Sequence, residues 1–195
     1  MCALNRSVLA LVFLSAAYIA MPARASEQDS QKASPSVGKT PTAAQIAGWN
    51  IDVLPDGTGL PAGKGTVSEG KKIYAAQCAA CHGANLEGMP IAPRLVGGIG
   101  TLTNDIPTKT VGSFWPYATG VFDYIRRAMP LTAPGSLKSN ELYSVVAFIL
   151  SQNGIVPADA VLDAKTLPAV KMPNRDGFYP SVESEKLAKP RGSDK

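Results

Sequence analysis

Apolar residues recur at helical spacing in three stretches of the chain. The first predicted helix begins near Ser68, a good N-cap residue, and leads into Cys78. The second lies within residues 114–128 and stops before Pro130, because proline cannot continue a helix. The third covers residues 139–152 and ends at an Asn-Gly pair. Three helices joined by long loops predict an all-α domain.

Gly70 is an unfavourable residue inside the first predicted helix. Glycine costs a helix interior about 1 kcal/mol relative to alanine. A close crossing by another helix would explain it, and simple tolerance of glycine in a first turn would explain it equally well.

The segments between and outside these helices are rich in turn-forming residues. The 195 residues include 18 glycines and 16 prolines, well above the average share of roughly 12%. Residues 26–45 are polar and predict a flexible leader. We place the folded domain at residues 46–155, where its first part is irregular, and an irregular C-terminal extension at residues 156–195.

The first 25 residues are typical of a secretory signal. Arg6 precedes the uncharged apolar run Ser7–Ala20, which is shorter than the roughly 20 residues of a membrane span. Residues 23–25 read Ala-Arg-Ala, a small-x-small cleavage pattern. We therefore expect export to a bacterial periplasm, with membrane contact only through the signal. An uncleaved N-terminal anchor is the alternative.

Charge gives no support for a nucleic-acid partner. Cleavage would remove Arg6 and Arg24, which lowers the Lys and Arg total from 19 to 17 against 15 Asp and Glu. The mature chain would then carry a formal charge of only +2. Because no basic stripe with interleaved aromatic residues is present either, we predict no nucleic-acid function.

The sequence Cys78-Ala-Ala-Cys81-His82 is the attachment pattern of a c-type haem. On one turn of helix, the two sulfurs can form thioethers with the two vinyl groups of a porphyrin, and His82 can supply the proximal nitrogen to iron. A structural zinc site needs four ligands, and the only other cysteine is Cys2 in the signal. A redox dithiol or a single disulfide is the remaining alternative.

Three methionines follow His82, and each precedes a proline. Met89 is too close to His82 along the chain to reach the other face of a haem. Met172 lies in the tail beyond the last helix. Met129 closes the second predicted helix at a distance that lets the chain wrap the haem edge, so we predict it as the second axial ligand. Met89 and Met172 are expected to be flexible core fillers.

Other residues are weaker candidates for haem contacts. Arg126 and Arg127, next to Met129, and Arg94 are candidates for pairing with a haem propionate. Trp115 and Tyr117 are candidates for packing on the porphyrin. A solvated face for the arginines and general core packing for the aromatic residues are the alternatives.

The stretch from Thr110 to Pro130, with its Trp-Pro-Tyr and Arg-Ala-Met-Pro elements, resembles the cytochrome c subunits of sulfite and sulfane dehydrogenases. The sulfane enzymes belong to the bacterial Sox sulfur-oxidation system. Residues 49–57 and 170–178 resemble the same subunits. The resemblance implies a class I cytochrome c-like domain and the methionine of Arg-Ala-Met-Pro, Met129, as distal ligand. One Cys-x-x-Cys-His motif implies a monohaem form.

The resemblance further implies an electron-transfer protein rather than an enzyme. Such a subunit docks on a molybdopterin subunit that oxidises the sulfur compound, takes up single electrons and passes them to a downstream cytochrome c or an oxidase. One alternative is a haem enzyme that acts directly on a sulfur compound. The other is a free respiratory electron shuttle without a dedicated dehydrogenase.

Overall fold

The computed structural model describes residues 38–181. The predicted signal, most of the predicted leader and residues 182–195 lie outside the described residues. Residues 42–181 belong to one compact unit. Its elements in chain order are α1 (Ala43–Trp49), β1 (Lys64–Thr66), α2 (Val67–Gln77), α3 (Ala79–His82), α4 (Val111–Phe114), α5 (Ala118–Ala128), α6 (Ser139–Gln152) and β2 (Val161–Asp163). Among the described helices, none is both long enough and apolar enough to cross a membrane.

The centre of the fold is helix α6. All nine residues from 142 to 150 are buried, so this helix is enclosed on every side. The Tyr143 ring packs against Phe122 of α5 at 4.7 Å between centroids, and Phe148 packs against Tyr74 of α2 at 5.3 Å. The three predicted helices, and the mostly helical fold that they imply, are confirmed.

Helices α2 and α6 cross closely at Gly70. A Cβ atom at this position would collide with the carbonyl group of Ser144 and lie 2.7 Å from the Cβ of Phe148. The close crossing, rather than tolerance in a first turn, explains the glycine. The N-cap of α2 lies two residues earlier than expected, because Thr66 rather than Ser68 accepts a hydrogen bond from the Glu69 N–H, at 3.2 Å.

The C-terminal extension is not wholly irregular, contrary to the prediction for residues 156–195. Strand β2 pairs antiparallel with β1, with Leu162 opposite Gly65. Leu162, Leu167 and Met172 are all buried in the hydrophobic core. The core therefore continues past residue 155, where we placed the end of the folded domain. A strand of three residues has too little periodicity to be recognised, and its partner lies far away in the chain.

The predicted leader also ends earlier than expected, because α1 begins at Ala43. Thr42 and Gln45 form a capping box: the Thr42 N–H donates to Gln45 Oε1 at 2.8 Å, and the Gln45 N–H donates to Thr42 Oγ1 at 3.2 Å. The Thr-x-x-Gln pattern was the sequence signal for this helix. Every residue of α1 is exposed.

Candidate haem site

The Cys-x-x-Cys-His motif begins where helix α2 breaks. Cys78 is the C-cap of α2, with φ −124° and ψ −34°, and its N–H still donates to the Tyr74 carbonyl at 2.9 Å. The separate turn α3 then carries Cys81 and His82. Cys78 and His82 are half-buried, Cys78 against the core, whereas Cys81 is exposed. The motif therefore lies on its own helical turn, and not at the end of the first helix as the pattern suggested.

Cys78 lacks the lowered pKa that is typical of a redox dithiol. Both cysteines in residues 38–181 are free thiols. Burial, followed by the neighbouring Cys81, raises the pKa of the Cys78 thiol to about 11. Dithiol oxidoreductases instead lower the pKa of the attacking cysteine, because the thiolate is the nucleophile. The structure thus disfavours the redox-dithiol alternative.

The imidazole of His82 is oriented through one ring nitrogen. Its Nδ1 lies 2.8 Å from the carbonyl oxygen of Pro93, an acceptor, so Nδ1 carries the proton in the neutral ring. Nε2 then carries the lone pair, which is the group that could bind an iron atom. The peptide N–H of Gly88 donates to the His82 carbonyl at 2.8 Å and holds the backbone in place.

Helix α2 holds the start of the loop that follows His82. The buried Tyr74 hydroxyl donates to the Gly83 carbonyl at 2.7 Å. Burial is the main cause that raises the pKa of Tyr74 to about 12, with Cys78 and Glu87 adding to it. Tyr74 therefore stays a neutral donor across the physiological range and fixes the loop immediately after the motif.

The same loop is held a second time at Leu95, by Asn153, the C-cap residue of α6. The Asn153 side-chain amide donates to the Leu95 carbonyl at 3.1 Å and to the Ile149 carbonyl at 2.9 Å. Gly112 of α4 approaches the same side chain so closely that a Cβ there would collide with the Asn153 oxygen. The sequence indicates Asn153 only as a helix stop, and it carries no local signal for this role.

The three candidate methionines lie in different environments. Met129 is the C-cap of α5, is half-buried against the core, and leaves the helix in an extended conformation. Met172 is 3% exposed and lies inside the core. Met89 is 49% exposed and pairs with Ala92 in the loop after His82, so it is not the core filler that we expected. Cys78, Trp115 and Met129 all pack against one hydrophobic cluster.

Two of the candidate propionate ligands already donate to protein groups. The Arg126 guanidinium donates to the Ile51 carbonyl at 3.1 Å. Arg127 forms ion pairs with Asp123 and Asp52. Arg94 is exposed and lies next to the Pro93 carbonyl that orients His82. The propionate contacts of all three arginines stay predictions.

The two candidate aromatic residues both lie just before α5: Trp115 is the C-cap of α4 and Tyr117 is the N-cap of α5. The Trp115 ring meets the Tyr124 ring edge-on, with 5.6 Å between centroids, and a Cβ added at Gly120 would lie 3.6 Å from the Trp115 ring. The Tyr117 ring instead lies 4.4 Å below the guanidinium of Arg175 in the tail. Their packing on a porphyrin stays a prediction. The tail contact was not foreseen, because it joins residues far apart in the sequence.

Further contacts fix the tail on the segment between α4 and α5. The Asn174 amide donates to the Phe114 carbonyl at 2.7 Å, and the Phe178 ring meets the Phe114 ring edge-on at 5.2 Å. The tail therefore supports the segment that carries the two candidate aromatic residues.

The donor set fits a covalently attached haem. It consists of two thiols three positions apart, an imidazole with a fixed tautomer and a half-buried thioether. Among residues 38–181, no group of three or more His, Cys, Asp or Glu side chains could hold a metal ion by itself. Together, the helical fold and this site define a class I c-type cytochrome.

Comparisons with known proteins place the chain more closely. The Cytochrome c family model matches residues 67–153. A chain in the crystal structure of the sulfane dehydrogenase SoxCD from Paracoccus pantotrophus is similar, with 39% identity and a TM-score of 0.71. The match covers 83% of this chain and 82% of that chain. A search of curated protein sequences gave no significant match. The protein belongs to the Sox-type cytochromes c of the sulfite and sulfane dehydrogenase family, and its cofactor is one covalent haem c.

Proposed function

We propose that this cytochrome accepts single electrons in the periplasm from a molybdopterin subunit that oxidises sulfite or a sulfane sulfur. It then passes them to a downstream cytochrome c or an oxidase, and it has no substrate site of its own. The observation that carries the proposal is the 39% identity with a chain of a sulfane dehydrogenase over 83% of this chain. The haem supplies reversible one-electron chemistry when it is bound.

The residues of the chain have separate roles in this proposal. Cys78 and Cys81 hold the haem through thioethers, and His82 offers Nε2 to the iron because its Nδ1 is engaged by Pro93. Met129 would supply a thioether sulfur as the second ligand of the iron. Such a ligand would favour ferrous iron and leave no open position for small molecules, which suits electron transfer rather than sulfur chemistry at the iron.

Electron uptake can be tested with the purified ferric holoprotein. Reduction is followed by its visible haem absorbance, first with sulfite or thiosulfate alone and then with a molybdopterin sulfite or sulfane dehydrogenase subunit added. We expect enzymatic reduction only when the dehydrogenase is present, with one electron taken up per haem. A dehydrogenase whose molybdenum cofactor has been removed is the matched control.

Two results would overturn the proposal. Rapid reduction by the sulfur compound alone would favour a haem enzyme that acts directly on it. Reduction by a chemical reductant, with none from the loaded dehydrogenase, would favour a free respiratory shuttle.

The ligand assignment has its own test. Met129→Ala should abolish the weak far-red iron–sulfur charge-transfer band of the ferric protein, while the haem stays covalently attached through acid-organic extraction. Met89→Ala is the matched control, because this methionine is half exposed and lies close to His82 in the sequence. A band that survives Met129→Ala and disappears in the control would reassign the ligand to Met89.

Localisation can be tested on the exported protein. We propose that the mature chain begins at Ser26, after the Ala-Arg-Ala pattern. N-terminal sequencing of the periplasmic holoprotein should give the residues from Ser26. A chain that retains its first 25 residues would show an uncleaved anchor.

A further inference from the structure

The chain segment before the first β-strand is attached to the last two turns of α5. The Val53 N–H donates to Asp123 Oδ1 at 3.1 Å, and the Arg126 guanidinium donates to the Ile51 carbonyl at 3.1 Å. Both contacts join backbone groups of residues 51–53 to side chains of α5. They therefore fix the segment along the helix instead of touching it at one point.

Arg127 strengthens the same attachment by charge. Its Nε donates to both carboxylate oxygens of Asp123 at 3.0 Å, and its Nη2 pairs with Asp52. The side chains of Arg127 and Asp123 are only 34% and 26% exposed, whereas Asp52 is 71% exposed. The Arg127–Asp123 pair is thus the better shielded of the two. We call these contacts of residues 51–53 with Asp123, Arg126 and Arg127 the α5 clamp.

The clamp ends two residues before Met129. The Met129 N–H donates to the Ile125 carbonyl at 3.0 Å, which is the last helical hydrogen bond, and the chain then becomes extended at φ −127°. The position of the last turn of α5 therefore sets where the Met129 side chain begins. The α5 clamp ties this last turn to residues 51–53 through the side chains of Arg126 and Arg127.

We propose that the α5 clamp is a positioning device that keeps Met129 on the haem iron, and that Arg126 and Arg127 act through residues 51–53. This inference rests on the proposed role of Met129 as the second axial ligand. A weakened clamp should let Met129 leave the iron more often, while the covalent attachment through Cys78 and Cys81 is unchanged.

The test is competition by imidazole for the iron position that Met129 would occupy. Arg127→Gln in the ferric holoprotein removes both ion pairs, and we expect about a fivefold increase in imidazole affinity, the upper range for partly exposed pairs. Asp52→Asn removes only the outer pair, keeps the Val53–Asp123 bond and should give about a twofold increase. Arg127→Lys should give a smaller increase in imidazole affinity than Arg127→Gln, because lysine keeps the charge but lacks the forked geometry of the guanidinium.

A matched control is the Glu69–Lys72 ion pair on α2, whose side chains are exposed and 3.3 Å apart. Lys72→Gln should leave imidazole affinity unchanged. High salt should reduce the difference between Asp52→Asn and wild type, because exposed charges are screened.

Unchanged imidazole affinity in both Arg127→Gln and Asp52→Asn would overturn the clamp, even if both variants melted at lower temperature, since the contacts would then be structural only. Failure of the ligand assignment is recognised separately. In that case the far-red band persists in Met129→Ala, and the clamp proposal falls with it. If Arg127→Gln does not fold, Asp52→Asn alone decides between the two outcomes.

Discussion

Replacement of Gly70 by alanine tests whether the close crossing of α2 and α6 requires a residue without a side chain at this position. In an isolated helix the substitution should be stabilising, because alanine is favoured over glycine by up to about 1 kcal/mol. In the folded protein we expect it to lower the free energy of unfolding. The added Cβ would collide with the Ser144 carbonyl and stand 2.7 Å from the Cβ of Phe148.

The size of the effect follows from what the new methyl group meets. Overpacking a close-packed contact costs about 1–3 kcal/mol. At Gly70 the obstacle is the backbone of a fully enclosed helix, so the upper end of that range applies. After the gain in helix propensity is subtracted, we expect Gly70→Ala to lower the free energy of unfolding by about 2 kcal/mol. For a domain of this size that corresponds to about 6 °C in the melting temperature.

Chemical unfolding of the holoprotein, followed by far-UV circular dichroism, measures this loss. Gly120→Ala is a matched control, since Gly120 also lies in the first turn of an 11-residue helix. A Cβ there would meet only the Trp115 ring, at an ordinary contact distance of 3.6 Å. Gly120→Ala should therefore be neutral or slightly stabilising. If Gly70→Ala were as stable as Gly120→Ala, the close crossing would not be the reason for the glycine.

Two further predictions concern buried side chains. The pKa of Tyr74 is about 12 in the folded state, against about 10 when the chain is unfolded, so its contribution to stability is complete below pH 10 and is lost as the pH rises to 12. Tyr74→Phe should lower the free energy of unfolding by about 1 kcal/mol at pH 7 through loss of the Gly83 hydrogen bond. It should also flatten the fall in stability between pH 10 and 12 by about 1–2 kcal/mol, and an equally steep fall in Tyr74→Phe and in the exposed control Tyr179→Phe would contradict the reasoning. Met172→Ala should lower the free energy of unfolding in urea by about 2–5 kcal/mol, because it leaves a cavity in the core. Met89→Ala, at a half-exposed position, should lower it far less. Equal losses in the two variants would show that the tail is not part of the core.

The long helices could be predicted because their signals are local. The apolar spacing of residues 139–152 matches α6, and Pro130 marks the end of α5 one residue after its C-cap. The N-cap of α2 was predicted less accurately, since Thr66 rather than Ser68 caps this helix. Either hydroxyl can cap a helix, and the choice depends on where strand β1 delivers the chain.

The candidate site was predictable only in part. The spacing of Cys78, Cys81 and His82 indicates haem attachment without any tertiary information, because two thioethers to one porphyrin need two thiols about one turn apart. The Pro93 carbonyl that orients His82 and the Asn153 amide that supports the loop were not foreseen. Neither residue type is diagnostic, and each acts only through where the folded chain brings it.

By itself, the sequence determined the haem motif, the three main helices and the resemblance to a sulfur-oxidising family, since covalent spacing and helical periodicity are properties of neighbouring residues. Only the tertiary structure decided the roles of residues that meet across long separations. It made Gly70 a crossing point, joined the tail to the core through β2 and Met172, and turned Arg127 toward Asp52 and Asp123. Such contacts depend on how whole elements pack, and local sequence patterns do not encode them.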